Sequence, residues 1–355
     1  MTLILNNEEI RRALDVKECL KVMEEAYREQ ASSRAVNRPT SHSYLAHSLP
    51  QATYSFKSVD GGVNKFGVLA LRITSDIVQE KKVGDMVRLE KLPLAAEGKF
   101  LGLVQLFSVE TGELLAIMPD GLIQQTRVGV TSALGAKVMS RKNSELLALI
   151  GSGGQARSHF RFITSVLPIR KVRVFSPNPD HRKKLAVEMQ RETGIAAEPV
   201  ASVQEAIENC DIICTATNSS RPLIQGEWLK PGVHYNAIRE FEVDESVFEK
   251  SDVVVIHTQF GGIQHYLPPG LKEDLPAIRR EKPRDWSRYP EISDLLVGRV
   301  PGRTSDKQIT FFLNNVGTGV QFAAMGYSAY RAALLSFLKL RRSLGRIPNF
   351  WSFLS

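Results

Sequence analysis

Apolar positions keep one kind of spacing up to about residue 126 and another beyond it. Val16, Leu20, Val22, Met23 and Ala26 fall on one face at helical spacing, and Asp15 stands where an N-cap belongs, so residues 7–31 are predicted helical. Residues 32–65 are polar and irregular, with "RPTSHSY" and "DGGVN" as turns. Three strand-like runs follow: "FGVLALRIT", "GLVQLFSV" and "ELLAIMP". Thr111-Gly112 makes "VETGEL" a hairpin turn, and Asp120-Gly121 is read as the next break. This part predicts a helix with a mostly antiparallel sheet.

Beyond it, strands alternate with helices. "RVGVTSALGAKVMSR" is predicted helical, then "LLALIG" a strand, "GQARSHFRFITSVL" a helix, "KVRVFS" a strand and "PDHRKKLAVEMQRETG" a helix. "VQEAIENC" is a short helix before the strand "DIICTAT", and "HYNAI" and "DVVVIHT" are further strands. Such alternation means a parallel sheet with right-handed crossovers. Near residue 305 the chain leaves this unit, and "ITFFLNNVGTGVQFAAMGYSAYRAALL" reads as a strand, a glycine turn and a long helix. The predicted class is α/β. A Rossmann-like parallel-sheet domain, 124–308, interrupts an α+β domain made of 1–123, to which 309–355 returns.

The inserted unit opens on "LIGSGGQA", where a strand runs into Gly151-Ser152-Gly153-Gly154-Gln155-Ala156 and a helix begins. Gly151 permits the tight turn, Gly153 lets the backbone approach a pyrophosphate, and Ala156 packs helix on strand. Backbone N–H groups at the helix start then face the phosphates. A lone glycine pattern is weak, but here strand, turn, helix and strand come in the required order. The next strand ends "VRVFSPNPDHRKK", without the acid that binds the ribose hydroxyls of NAD. Ser176, Asn178 and Arg182 suit a 2′-phosphate, which favours NADP over NAD. Asp180 is read as a helix cap. Thr215, Ala216 and Thr217 end the run "DIICTAT" and Asn218 follows it, where the cofactor crevice is expected.

Composition narrows the class without changing it. A chain of 355 residues suits about two domains. Cys19, Cys210 and Cys214 cannot make a disulfide framework, and no His/Cys cluster accompanies them, so no metal site is expected. A net charge of +8 and a pI near 9.3 raise the idea of nucleic-acid binding. The basic residues are scattered, which argues instead for anionic substrates and a phosphate-rich cofactor. No apolar run reaches the roughly 18 residues of a membrane span. The opening "MTLILNNEEIRRALD" turns polar after five residues, so no secretory signal and a cytoplasmic protein are expected.

"RVGVTSALGAKVMSR" leading into "LIGSGGQA", then "DIICTATNSSRPLI" with "WLKPGVHYNAI", resembles the ornithine cyclodeaminase/mu-crystallin family over nearly the whole chain. The resemblance implies an α+β domain for substrate binding and dimerisation, with the last helix packed onto it. It implies hydride transfer between NAD(P) and an amino or imino carbon of a small amino, imino or keto acid, in a homodimer. Carboxylate-binding arginines map to Arg38 and Arg127, and a planar guanidinium suits that role. The family's usual lysine becomes Arg72, which cannot serve as a base. Gly317 falls in the glycine turn beside the nicotinamide.

Two departures from the family pattern concern proton transfer. The acid that many cyclodeaminases carry in the early loop has no match near "YSFKSVD", and the aspartate after the strand "HYNAI" is missing. Glu240 is one step out of register and either substitutes for that aspartate or is a solvated loop carboxylate. Asp76 is the other acid–base candidate, with a turn-forming role as its bland alternative. His42, His47, Lys57, Lys65 and His257 are weaker candidates for the pocket. An imine reductase or amino acid dehydrogenase is therefore expected. The alternatives are an ornithine cyclodeaminase and a non-catalytic NADPH-binding protein.

Overall fold

The computed structural model describes residues 1–83, 86–92, 101–219, 221–259, 263–269 and 285–343. Among these residues the strands form two sheets. The first runs in the order Leu3–Ile4, Leu114–Pro119, Leu101–Ser108, Val68–Val83, Ala52–Val63, Ser41–Ala46 and Gln264–Tyr266. Ala35–Asn37 also pairs with Ala52–Val63, and Met86–Leu92 with Val68–Val83. Its central pairings are antiparallel, including the expected hairpin at 108–114. The second sheet is wholly parallel: Ala196–Pro199, Lys171–Phe175, Leu146–Ile150, Ile212–Thr215, His234–Ala237, Thr310–Leu313 and Val253–Ile256.

Helix Asp120–Met139 joins the two sheets. It contacts the strand Leu101–Ser108 of the first and the strands His234–Ala237 and Thr310–Leu313 of the second. Helix Gly319–Ser343 lies on the first sheet, over Ala52–Val63 and Val68–Val83. One face of that sheet supplies Val59, Ala70, Val104, Leu106, Ala116 and Met118 to the core, together with Phe322 and Met325 of the helix. The helix begins where Gly319 meets the backbone of Asp60 and Gly61; a Cβ on Gly319 would stand 2.0 Å from the Asp60 carbonyl carbon.

Several expectations are corrected. Residues 7–31 form two helices, Asn7–Ala13 and Val16–Ala31, because Asp15 caps the second and breaks the run. Residues 32–65 hold strands rather than irregular chain, and "DGGV" closes the long strand Ala52–Val63. Their polar residues sit at half-buried positions, which hid the alternation. Asp120-Gly121 opens a helix instead of ending an element. Asn178, not Asp180, caps Pro179–Thr193 by accepting from the N–H groups of Asp180 and His181. Thr310–Leu313, past the expected boundary at 308, pairs on both sides within the parallel sheet. Residues 344–355 of the expected C-terminal segment lie outside the described residues.

Candidate active site

The glycine loop has the geometry the sequence demands. Gly151 takes φ +126°, and a Cβ there would lie 2.3 Å from the Ala216 carbonyl oxygen. The loop and the end of the neighbouring strand therefore touch through backbone. Helix Gly154–Val166 starts with no side-chain cap, which leaves its first N–H groups open, and the space beside Gly153 is empty. Ala156 is fully buried against the sheet. Gln155 is half-buried and gives its carbonyl to His159 Nδ1 at 2.7 Å. Ser152 Oγ donates to Ser176 Oγ at 2.9 Å, and Arg182 Nη1 donates to the Ser176 carbonyl at 2.8 Å. The expected phosphate-side residues thus cluster, except that Asn178 spends its side chain on the helix cap.

Across the loop, Thr215 is buried and bonded to the Tyr235 hydroxyl at 3.2 Å, so its hydroxyl faces inward. Thr217 is half-buried, and Asn218 is exposed. Glu242, which the sequence reading passed over, fixes this loop. It is fully buried, and its Oε1 accepts from the Thr217 backbone N–H at 2.7 Å and from the Thr217 hydroxyl. Burial pushes its pKa up against those hydrogen bonds. A glutamate two residues past Glu240 carries no motif, which is why it went unread.

Arg127 and Arg72 come together on the ring of Phe322, 5.4 and 5.3 Å from its centroid. Arg72 Nε and Nη2 both donate to Asp120 Oδ2, at 2.9 and 2.7 Å. Arg127 is buried and is held by amides: Nε donates to Gln124 Oε1 at 3.1 Å and Nη1 to Gln321 Oε1 at 2.9 Å. Among the described residues no carboxylate pairs with it. Burial, and then the charge of Arg72, pulls its pKa down to about 9. An arriving anion would relieve both effects. The glycine turn lies against this group, since a Cβ on Gly317 would stand 2.8 Å from Arg127 Nη2. Arg38 is engaged elsewhere: its side chain is 55% exposed, and its Nε lies 2.5 Å from Asp60 Oδ1.

The support behind Arg127 is a closed polar network. Gln321 Nε2 donates to the Tyr27 hydroxyl at 3.0 Å and to Thr131 Oγ1 at 2.8 Å. His257 stands edge-on to Tyr27, 5.7 Å between ring centres. Its Nδ1 donates to the Val316 carbonyl, and its buried Nε2 has no partner. Burial, then Arg127, lowers its pKa to about 3, so the ring is neutral.

Asp76 lies within the strand Val68–Val83, 2% exposed, rather than in a turn. Its Oδ2 is 2.8 Å from Lys91 Nζ and 3.9 Å from Lys57 Nζ. His42 sits in a strand directly opposite Lys57, half-buried, with Nδ1 3.1 Å from the Tyr44 hydroxyl. His47 accepts from the Leu49 N–H at 3.1 Å, and Lys65 lies 3.5 Å from Glu25. Glu240 is half-buried in the short turn Glu240–Glu242, and Arg239 before it stands over the Phe241 ring. Cys19, Cys210 and Cys214 are free and buried. Among the described residues no group of His, Cys, Asp and Glu has a metal-binding arrangement, and no helix is long and apolar enough to cross a membrane.

The sequence profile of the ornithine cyclodeaminase/mu-crystallin family matches residues 96–331. A Δ1-pyrroline-2-carboxylate reductase of Bacillus cereus is 26% identical, over 90% of this chain and 92% of its own. An alanine dehydrogenase of Archaeoglobus fulgidus is 28% identical, over 94% and 95%. The structure of Thermococcus litoralis Δ1-pyrroline-2-carboxylate reductase in complex with NADH and L-proline superposes with a TM-score of 0.75 at 25% identity, covering 94% of this chain and 98% of that one.

Proposed function

Because the chain belongs to the ornithine cyclodeaminase/mu-crystallin family, we propose that it is an NAD(P)-dependent imine reductase or amino acid dehydrogenase, moving hydride between a nicotinamide and the amino or imino carbon of a small amino acid. The observation that carries the reading is Arg127, a buried cation that no carboxylate among the described residues pairs with, set beside the glycine turn at Gly317. A buried charge with only amide partners is costly unless a ligand completes it. The substrate α-carboxylate is that ligand. Arg72 joins the clamp across the Phe322 ring.

The loop Gly151–Ala156 and the open start of helix Gly154–Val166 fit a pyrophosphate. Thr217 and Asn218 form the opposite wall, and Ser176 with Arg182 would meet a 2′-phosphate, so NADPH is the preferred cofactor. That cofactor supplies the hydride. The protein holds the acid, excludes water around Phe322, and relays one proton. We assign the relay to Glu240, on the loop after the strand His234–Ala237.

We further propose a cytoplasmic two-fold dimer. The face of the first sheet turned away from helix Gly319–Ser343 leaves Leu69, Leu71, Ile73, Leu103, Phe107 and Ile117 half-buried, as a partner's sheet would require. The domain division proposed is 1–123 with 309–355 around 124–308, the strand Thr310–Leu313 excepted. The test is a screen of amino acids, and of keto acids with amines, following NADPH and NADH at 340 nm. Cofactor binding without turnover on any of these would favour a non-catalytic binder.

A further inference from the structure

Beyond the arginine pair, the same sheet face carries a second polar patch, ordered by strand register. Lys57 lies directly opposite Thr74, with Arg72 and Asp76 its two diagonal neighbours on that face. Diagonal neighbours in an antiparallel pair sit about 7–8 Å apart, within reach of long side chains. Ser55 lies opposite Asp76, and His42 flanks Lys57 from the other side. Arg239, on the loop that leaves the parallel sheet, stands close enough to act on the charge of Lys57. The patch therefore lies between the two sheets, beside the arginine pair.

Two features are unexplained by packing. First, charge is unbalanced. Arg72 is matched by Asp120. Lys57 and Lys91 share the single carboxylate of Asp76, and Arg127 has none among the described residues. Among the described residues the four cations Arg72, Arg127, Lys57 and Lys91 outnumber the carboxylates paired with them, Asp120 and Asp76. Second, Thr74 Oγ1 and Ser55 Oγ are buried, at 4% and 1% exposure, and neither makes a hydrogen bond. A buried hydroxyl without a partner is costly, and beside a surplus cation it is a donor suited to an anion.

We propose that the substrate carries a second acidic group, received by Lys57 and the Thr74 hydroxyl, while Arg127 and Arg72 hold its α-carboxylate. The class is a short dicarboxylic amino acid and the matching imino acid. This rests on the α-carboxylate site proposed above and adds the identity of the side-chain group. Burial, then Lys91, lowers the Lys57 pKa to about 8, and a second anion beside it would raise that value again. A diamine would bring a further cation to a patch already in surplus.

The test is binding to the whole protein with NADPH present, by calorimetry, using succinate and glutarate against their monoamides. The monoamides keep shape and one carboxylate. The diacid is expected to bind about tenfold tighter or more, because a charge-assisted pair is made only by it. The ratio should shrink in Lys57→Gln and in Thr74→Val, and recover in Thr74→Ser. Equal affinity of diacid and monoamide for the wild-type protein would overturn the proposal, whatever the variants do. Diacid selectivity without NADPH turnover on any imine would sink the hydride-transfer reading and leave this one standing. Turnover of monocarboxylic imines with no diacid preference would do the reverse.

Discussion

Arg72 and Arg127 lie against one aromatic ring, yet among the described residues only Arg72 has a carboxylate partner. The two arginines should therefore fail differently. Arg72→Ala leaves Asp120 without both of its guanidinium bonds. Breaking such a largely buried pair costs about 3 kcal/mol, so urea unfolding should shift clearly. Arg127→Ala unpairs no carboxylate and should cost less stability. It should raise the substrate KM by about 100-fold or abolish turnover, with cofactor affinity almost intact. An unchanged KM, or an equal loss of cofactor affinity, would remove Arg127 from the clamp.

The glycine loop offers a second contrast. Gly151→Ala places a side chain at φ +126° and against the Ala216 carbonyl, so the turn itself must shift. Gly153 has φ −84° and open space around it. Gly153→Ala should fold normally and still lose cofactor affinity, because the methyl occupies the approach of the pyrophosphate. Wild-type affinity in a folded Gly153→Ala protein, read by fluorescence titration, would place the phosphates elsewhere.

Cofactor choice turns on the end of the second parallel strand. Ser176 is bonded to Ser152, and Arg182 is anchored on the Ser176 carbonyl. The strand end carries Ser176 in place of the acid of an NAD site, and a 2′-phosphate should be favoured. NADPH is expected to bind more tightly than NADH at equal salt, and Ser176→Asp should reverse the order by repulsion. Tenfold tighter binding of NADH by the wild-type protein would refute the preference.

The three fully buried histidines predict the pH response of folding. Burial is the first cause in each: the pKa falls to about 4 in His159 and to about 3 in His234 and His257, from 6.5. A depressed histidine contributes stability above its unfolded pKa, and that stability is lost as pH falls towards the folded value. The unfolded chain binds more protons in that window. Each ring then subtracts at most about 1.4 kcal/mol per pH unit below about 6.5. Urea midpoints should decline from pH 6.5 to 5, and His159→Gln should flatten the slope. A midpoint constant across that range would contradict buried neutral rings.

The parts of the fold that were legible in the sequence are those where one interaction dominates. Hydrophobic runs of four or five residues bounded by glycine gave the parallel strands, and backbone need fixed Gly151. The early strands were not legible, because Thr53, Ser55, Lys57 and Asp76 face a polar patch rather than a core, so alternation of apolar and polar was lost. The site divides the same way. Arg127 stands in a dense local motif. Asp120 and Gln321 matter only through Arg72 and Arg127, 48 and 194 residues away. Pairings at that separation leave no mark on spacing. Arg38 shows the opposite limit: a residue type matched to a motif, whose side chain is held by Asp60.

Ornithine should be a poor substrate. Cyclodeamination oxidises the α-amine, closes a ring through the side-chain amine, expels ammonia and reduces the cyclic imine. The side-chain amine arrives as a cation and needs a carboxylate both to bind it and to take its proton. Here the strand position diagonal to Arg72 carries Lys57, and the loop after His234–Ala237 carries Arg239 and Phe241. Asp76, the carboxylate beside Lys57, is occupied by Lys91. Loss of one acid–base group typically costs about 10²- to 10⁴-fold. The measurement is proline formed from ornithine with catalytic NAD⁺ or NADP⁺. Negligible proline is expected. Several turnovers per second would mean that Glu240 or Asp76 does the work of the missing aspartate, and cyclodeaminase would then be the better description.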